Sequence, residues 1–147
     1  MAEAMSTYVL DACALIAYLR DEEGGDKLRR MLKEPDKRFL MHAVNVGEVY
    51  YDSLRVSGQE NAQELFDDLA RLPINVIWML DAPVLKLVGK YKTSYRMSYA
   101  DTFVLALAEK EAATVISTDH HEFDQVAQAG VLSFYWLREK VQSSTKN

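Results

Sequence analysis

The sequence is poor in cysteine, which excludes a disulfide framework. Cys13 is the only cysteine in 147 residues, so no disulfide can form within the chain. The opening residues, 1–5, contain neither the basic segment nor the long apolar core of a secretory signal peptide. We therefore expect a cytoplasmic protein.

Long apolar runs and an excess of positive charge are also missing. No stretch approaches the ~20 consecutive apolar residues of a membrane-spanning helix, so no membrane association is expected. Lys and Arg number 17 against 22 Asp and Glu, which gives a formal net charge of −5. This balance is unlike that of the basic domains that coat nucleic acid without sequence preference. It still allows a nuclease, because clustered acids and a separate basic rim can coexist in one chain.

What is present indicates a globular protein. Hydrophobic residues make up 49% of the sequence and charged residues 27%. A chain of this length can bury roughly two-thirds of its unfolded surface in a single core. We predict one domain spanning residues 1–147, with a polar tail from about residue 138.

Strand-like and helix-like segments alternate along the chain. Strands are predicted at 7–11, 39–43, 74–79, around 115–116, and at 131–136. Helices are predicted at 12–19, 26–33, 45–57, 60–72, 82–92, 98–108 and 120–128. Short connections between alternating elements predict a three-layer α/β/α domain with a mainly parallel sheet of four or five strands.

Four acidic residues fall at one edge of this predicted sheet. Asp11 follows the first strand and Asp119 follows the fourth. Ser98 and Asp101 form a capping box that places Asp101 in the first turn of a helix, and Asn45 with Glu48 is a similar helix-start pattern. Helices between parallel strands run backwards, so their first turns lie at the carboxyl ends of the strands. Ligands of open α/β sheets bind at that edge.

Each acid alone has a structural explanation, since carboxylates stabilise helix N-termini. Four together are different, because like charges that lie close repel each other and stay ionised only beside a cation. Carboxylates without a supporting Cys or His pattern suit Mg²⁺ or Mn²⁺. Such an ion lowers the pKa of a bound water and stabilises charge on a phosphate, so the pattern predicts metal-assisted phosphodiester hydrolysis.

The chain resembles a known family, the PIN-domain ribonucleases of the VapC toxin type. The matching motifs are VLDACALIAYL at 9–19, NVGEVYY at 45–51, SYADTFVLALA at 98–108 and STDHHEF at 117–123. The resemblance implies that Asp11, Glu48, Asp101 and Asp119 are catalytic residues that hold Mg²⁺ or Mn²⁺ and activate water. It also implies an RNA substrate, a homodimer, and a small antitoxin partner that silences the toxin.

The chain departs from this family pattern at two places. The family usually has Ser, Thr or Asn where Cys13 stands. Around Asp119, the spacing to Phe123 admits a second alignment in which His120 takes the acidic position, and the two alignments stay open here. Asp119 is preferred because Glu122 and Phe123 then match the family's acidic-Phe pair. Glu122 is itself a weaker candidate that would support the site from outside.

The other polar and aromatic groups carry less information. No zinc-site spacing joins the three histidines, so surface or loop roles are predicted for His42, His120 and His121. Residues 90–96 mix cations with tyrosines, which suits either contact with RNA or a solvated loop whose tyrosines pack on the core. Core positions are predicted for three methionines, Met31, Met79 and Met97.

Two further functions compete with the nuclease. A PIN-like module that binds RNA or protein without cutting remains the alternative. A receiver-like signalling domain would need adjacent acids after the first strand, whereas Ala12 follows Asp11. It would also need a lysine after the last strand, and no lysine is placed there.

Overall fold

The computed structural model of the chain describes residues 5–141. Its strands are β1 (Ser6–Leu10), β2 (Lys37–His42), β3 (Ile74–Ile77), β4 (Thr114–Ser117) and β5 (Phe134–Trp136). Its helices are α1 (Ala12–Leu19), α2 (Gly25–Leu32), α3 (Ala43–Ser57), α4 (Gln59–Leu69), α5 (Ala82–Ser94), α6 (Tyr99–Lys110) and α7 (His120–Ala129). The predicted polar tail is described only as far as Val141.

The five strands form one parallel sheet in the order β3-β2-β1-β4-β5, as the alternating pattern predicted. The chain builds the sheet outward from β1 in one direction through β2 and β3, and then in the other direction through β4 and β5. The strand order therefore reverses between β1 and β4. In open α/β sheets this reversal leaves a crevice at the carboxyl ends of the two strands.

Helices cover both faces of the sheet, which confirms the three-layer prediction. Leu10, Phe39, Met41 and Ile116 point to one face and pack with residues of α1 to α4. The alternate strand residues point to the other face and pack with α5, α6 and α7; they are Val9, Leu40 and Val115. Strands buried on both faces explain why β1 and β4 read as apolar runs rather than as alternating patterns.

One difference from the predicted elements that affects the site is the start of α3. We expected Asn45 to cap this helix, but α3 begins at Ala43 and His42 caps it through Nδ1, which accepts a hydrogen bond from the Val44 N–H at 3.1 Å. The His42 ring is buried and packs on Phe103, with ring centroids 4.9 Å apart. The surface role predicted for this histidine is therefore wrong.

One methionine prediction is also wrong. Met31 and Met97 are buried, but Met79 is 71% exposed, because β3 ends at Ile77 and the chain then leaves the sheet. Trp78 and Leu80 are exposed beside it. Among residues 5–141, none of the helices has both the length and the apolar character that crossing a bilayer requires.

Candidate active site

Asp11 lies at the point where the strand order reverses. It follows β1 directly, and its carboxylate caps α1 by accepting a hydrogen bond from the Ala14 N–H at 2.7 Å. The Ser117 hydroxyl, at the end of neighbouring β4, donates to the second carboxylate oxygen. Ser117 Oγ in turn accepts from the Asp119 N–H at 2.8 Å. These bonds connect the ends of β1 and β4 through one carboxylate.

Asp11 is buried, with 2% of its surface exposed. Burial disfavours its charged form and is the main cause that raises the pKa of its carboxyl group from 3.8 to about 7. The hydrogen bonds from Ser117 and Ala14 oppose this rise, whereas the charges of Asp101 and Asp119 add to it. Near neutral pH this carboxylate is therefore a strong candidate to bind a cation.

Asp101 lies in the first turn of α6, where the sequence placed it. Ser98 caps this helix, and its Oγ accepts a hydrogen bond from the Asp101 N–H at 3.1 Å. Burial is again the main cause that raises the pKa of the Asp101 carboxyl group, here to about 6. The charges of Glu48, Asp119 and Glu122 raise it further. Glu122, the weaker candidate, is thus near enough to act on Asp101.

Glu48 comes from α3 and is tied to α6 through Asn45. The Asn45 side-chain N–H groups donate to Glu48 Oε1 at 3.1 Å and to the Ala100 carbonyl oxygen at 2.9 Å. Burial raises the pKa of the Glu48 carboxyl group, and the bond from Asn45 lowers it. Glu48 is therefore held beside the helix turn that carries Asp101.

Asp119 and His120 point to different surroundings. Asp119 caps α7 by accepting from the Glu122 N–H at 3.1 Å, and its charge acts on Asp11 and Asp101. The ring nitrogens of His120 bond instead to Asp124 Oδ1 at 2.8 Å and to the Arg138 carbonyl oxygen at 2.9 Å. The same ring is stacked on Trp136 at 3.8 Å. The structure therefore brings Asp119, and not His120, to the other acids. Of the surface or loop role predicted for His120, the loop is wrong, because this half-buried residue begins α7.

The thiol of Cys13 lies close enough to all four acids to be affected by their charges. Burial raises the pKa of its thiol, and the charges of Asp11, Asp119, Asp101 and Glu48 raise it further. The four acids thus share one neighbourhood at the carboxyl edge of the sheet. However, no three Asp, Glu, His or Cys side chains within residues 5–141 are gathered closely enough to enclose an ion.

The donor set nevertheless fits a hard cation. Mg²⁺ keeps several waters and takes only one or two carboxylates directly, so it does not require a closed protein cage. The four acids offer oxygen ligands, and the carboxyl groups of Asp11, Glu48 and Asp101 have raised pKa values that a bound cation would lower. Asp11, Glu48, Asp101 and Asp119 are the residues that could hold such an ion.

Comparison with known families identifies the family to which this fold belongs. The PIN domain family matches residues 8–129, a segment that contains all four acids. The chain belongs to the PIN-domain family. No curated protein matches it at a significant level.

Solved PIN-domain structures share this architecture at low sequence identity. A chain of VapBC2 from Rickettsia felis, bound to a DNA fragment from its promoter, matches with TM-score 0.68 and 14% identity, over 88% of this chain and 98% of that one. A chain of VapBC-1 from nontypeable Haemophilus influenzae matches with TM-score 0.68 and 17% identity, over 89% of this chain and 98% of that one. VapC20 from Mycobacterium tuberculosis, a sarcin-ricin loop cleaving toxin, matches with TM-score 0.64 and 15% identity, over 81% of this chain and 94% of that one.

A cavity of about 620 Å³ opens beside the acids of this PIN domain. Its lining includes Cys13, Asp119 and Asp124, together with Arg138, Glu139 and Lys140 from the chain after β5. Lys140 Nζ forms an ion pair with Asp124 at 3.0 Å. The cavity therefore places Asp119 in one lining with Arg138 and Lys140, which sequence reasoning missed because they lie in the predicted polar tail.

The basic segment at residues 90–96 is less available than its sequence indicated. Tyr91 is buried, and its hydroxyl donates to Glu109 Oε1 at 2.6 Å. The Lys90 ammonium group forms an ion pair with the same carboxylate at 2.8 Å, and Lys92 donates to the Met97 carbonyl oxygen at 2.6 Å. Tyr91 therefore packs on the core, as the second interpretation of this segment predicted, but it does so from α5 rather than from a loop.

Proposed function

We propose that this PIN domain, spanning residues 1–147, is a Mg²⁺- or Mn²⁺-dependent endoribonuclease. The observation that carries the proposal is the set of four acids at the reversal of strand order, in which Asp101 and Asp119 repel Asp11, and Glu48 and Asp119 repel Asp101. The pKa of Asp11 is raised to about 7 and that of Asp101 to about 6. Acids that are held together against their own repulsion indicate a site that a cation completes.

Each proposed catalytic residue has a defined task. Asp11, fixed by Ser117 and Ala14, would hold the ion at the centre of the crevice, with Glu48, Asp101 and Asp119 around it. When bound, the ion would polarise the scissile phosphate and lower the pKa of the attacking water. A carboxylate of the group would accept the proton that this water releases.

The cavity beside Asp119 gives the RNA a path to the acids. Its volume of about 620 Å³ is in the range of small-ligand pockets, and Arg138 and Lys140 can contact phosphate there. Because Asp119 lines this cavity, we assign the RNA path to it rather than to residues 90–96, with Lys140 exchanging its ion pair with Asp124 for a phosphate. An acidic chain can bind RNA in this way because only a local cationic surface is required.

We further propose that the protein is the toxin of a type II toxin–antitoxin pair, located in the cytoplasm. The similar structures described above are a VapC toxin and chains of VapBC complexes, and they motivate a small antitoxin partner. A homodimer is supported by exposed apolar side chains after β3 and on α5, which include Trp78, Met79, Leu80 and Leu85. Light scattering of the purified protein, alone and co-expressed with the product of a neighbouring small gene, tests both assemblies.

The nuclease proposal is tested by RNA cleavage with Mg²⁺, Mn²⁺ or EDTA. Asp101→Asn should lower cleavage by at least about a hundred-fold, since even indirect supports of metal ligands cost ~10–100-fold. Asp67→Asn, which changes an exposed acid on α4, is the matched control and should cleave as the wild type does. RNA binding without metal-dependent cleavage in the wild type would favour the alternative, a non-catalytic PIN-like module.

A further inference from the structure

The start of α3 leaves the Asn45 side chain free for another role. Because His42 caps this helix, Asn45 falls in the first turn, where a capping side chain is not needed. The Asn45 side chain instead points into the protein and is completely buried.

Asn45 uses its amide group to join two helices that carry proposed metal ligands. One N–H donates to Glu48 Oε1 on the next turn of α3, and the other donates to the carbonyl oxygen of Ala100, the residue before Asp101. A glutamate side chain has three rotatable bonds and loses entropy when it is held in one position. Glu48 and Asp101 also repel each other, which favours rotation of Glu48 away from the site. The Asn45 amide opposes both effects.

The buried position of Asn45 also has a cost in folding stability. Asn45 Oδ1 is buried and has no hydrogen-bond partner among the described residues. A buried acceptor without a partner is destabilising, and an apolar side chain of similar size would avoid it. A residue that breaks a packing rule beside a site is expected where function requires it.

We infer that Asn45 is a positioning residue, whose amide holds the Glu48 carboxylate against the first turn of α6 so that Glu48 and Asp101 can bind one ion. The inference rests on the proposed metal-dependent function. It adds a residue outside the four acids on which the affinity for the ion depends.

The test uses Asn45→Leu, which is close to Asn in size and removes both the amide donors and the unpartnered oxygen. Mn²⁺ affinity is measured without RNA, by the electron paramagnetic resonance signal of free Mn²⁺, beside thermal melting in EDTA. Asn45→Leu should stay folded, because removal of the unpartnered Oδ1 offsets part of the cost of the two lost hydrogen bonds, and it should bind Mn²⁺ about 10–100-fold more weakly. Asn61→Leu is the matched control, because Asn61 on α4 donates only to the Ser57 carbonyl oxygen; it should bind as the wild type does.

A double-mutant cycle with Glu48→Gln shows whether Asn45 acts through Glu48. If it does, Asn45→Leu should have little further effect on Mn²⁺ affinity in the Glu48→Gln background, whereas a merely structural role would lower affinity by the same factor in both backgrounds. If Asn45→Leu does not fold, Asn45→Ala enters the same cycle with the same expectation.

The outcomes separate this inference from the proposed function. Wild-type affinity that is absent, or equal to that of Asp11→Asn, overturns the metal site and the inference with it. If the wild type binds Mn²⁺ in a way that depends on Asp11, but folded Asn45→Leu binds Mn²⁺ with an affinity within twofold of the wild type, only the inference about Asn45 is overturned. Equal losses in the two backgrounds of the cycle also overturn it.

Discussion

Replacing Asp11 with Asn should stabilise the metal-free protein at neutral and alkaline pH. The Asn side chain keeps an oxygen that can cap α1 through the Ala14 N–H, and its amide can donate to Ser117 Oγ after that hydroxyl rotates. The change therefore preserves the local hydrogen bonds while it removes a buried charge. Removing that charge also relieves the repulsion that Asp11 shares with Asp101 and Asp119.

The magnitude follows from the pKa of Asp11, which burial raises from 3.8 to about 7. A shift of about three pKa units corresponds to at most about 4 kcal/mol of unfolding free energy. The native state binds this proton more tightly than the unfolded chain, so only the unfolded state loses it as the pH rises above about 4. The contribution of Asp11 to the stability of the wild type should therefore fall between about pH 4 and pH 7 and then level off.

The assay is urea unfolding in EDTA at pH 5 and pH 8. The free energy of unfolding of the wild type should decrease between these values by more than that of Asp11→Asn. At pH 8 the variant should be more stable by about 2–4 kcal/mol. Asp67→Asn, an exposed control on α4, should follow the wild type at both pH values. If Asp11→Asn were equally destabilised at both pH values, Asp11 would be a helix cap and the electrostatic argument would be wrong.

Three other outcomes are expected. A hundred-fold excess of Mn²⁺ over its Kd should stabilise the wild type by about 2.7 kcal/mol in thermal melts. It should stabilise the Asp11→Asn, Asp101→Asn double variant far less, and equal shifts would place the ion elsewhere. Replacing Arg138 and Lys140 with Gln should reduce the salt dependence of RNA affinity in Ca²⁺ by about one counterion per lost phosphate contact, and an unchanged slope would move the RNA path. Asp119→Asn should keep α7 intact by circular dichroism, since Asn caps helices well, yet lose at least about a hundred-fold in cleavage; joint loss of helix and activity would leave only the capping role.

Local rules were sufficient where the pattern changes sharply. The start of α1 at Ala12 was predicted to the residue, because Asp11 is a strong N-cap, whereas β1 ends at Leu10, one residue before its predicted end. The shared edge of the four acids followed from parallel topology alone, and the five-stranded order with its reversal at β1 is consistent with it.

Local sequence rules failed where contact with a residue that is distant in the sequence determines the position of a side chain. Capping preferences favour Asn45 over His42, but the His42 ring is held in place by packing on Phe103 of α6, which no local pattern reports. His120 is likewise fixed by Trp136 of β5. The bonds from Ser117 to Asp11 and from Asn45 to Ala100 also cross between elements. Sequence could therefore name the acids but not the groups that orient them.

The choice between Asp119 and His120 shows this limit most clearly. Adjacent residues at a helix start differ by roughly 100° in direction, so a shift of one position exchanges the residue that faces the site. The bond from the Asp119 N–H to Ser117 Oγ fixes the chain after β4, and Ser117 is itself held by Asp11. With that anchor, the Asp119 carboxylate faces the other acids while His120 turns to Trp136. The buried Asp11 carboxylate thus orients Asp119 through Ser117. This link joins residues that are far apart in the sequence, so no local pattern reports it.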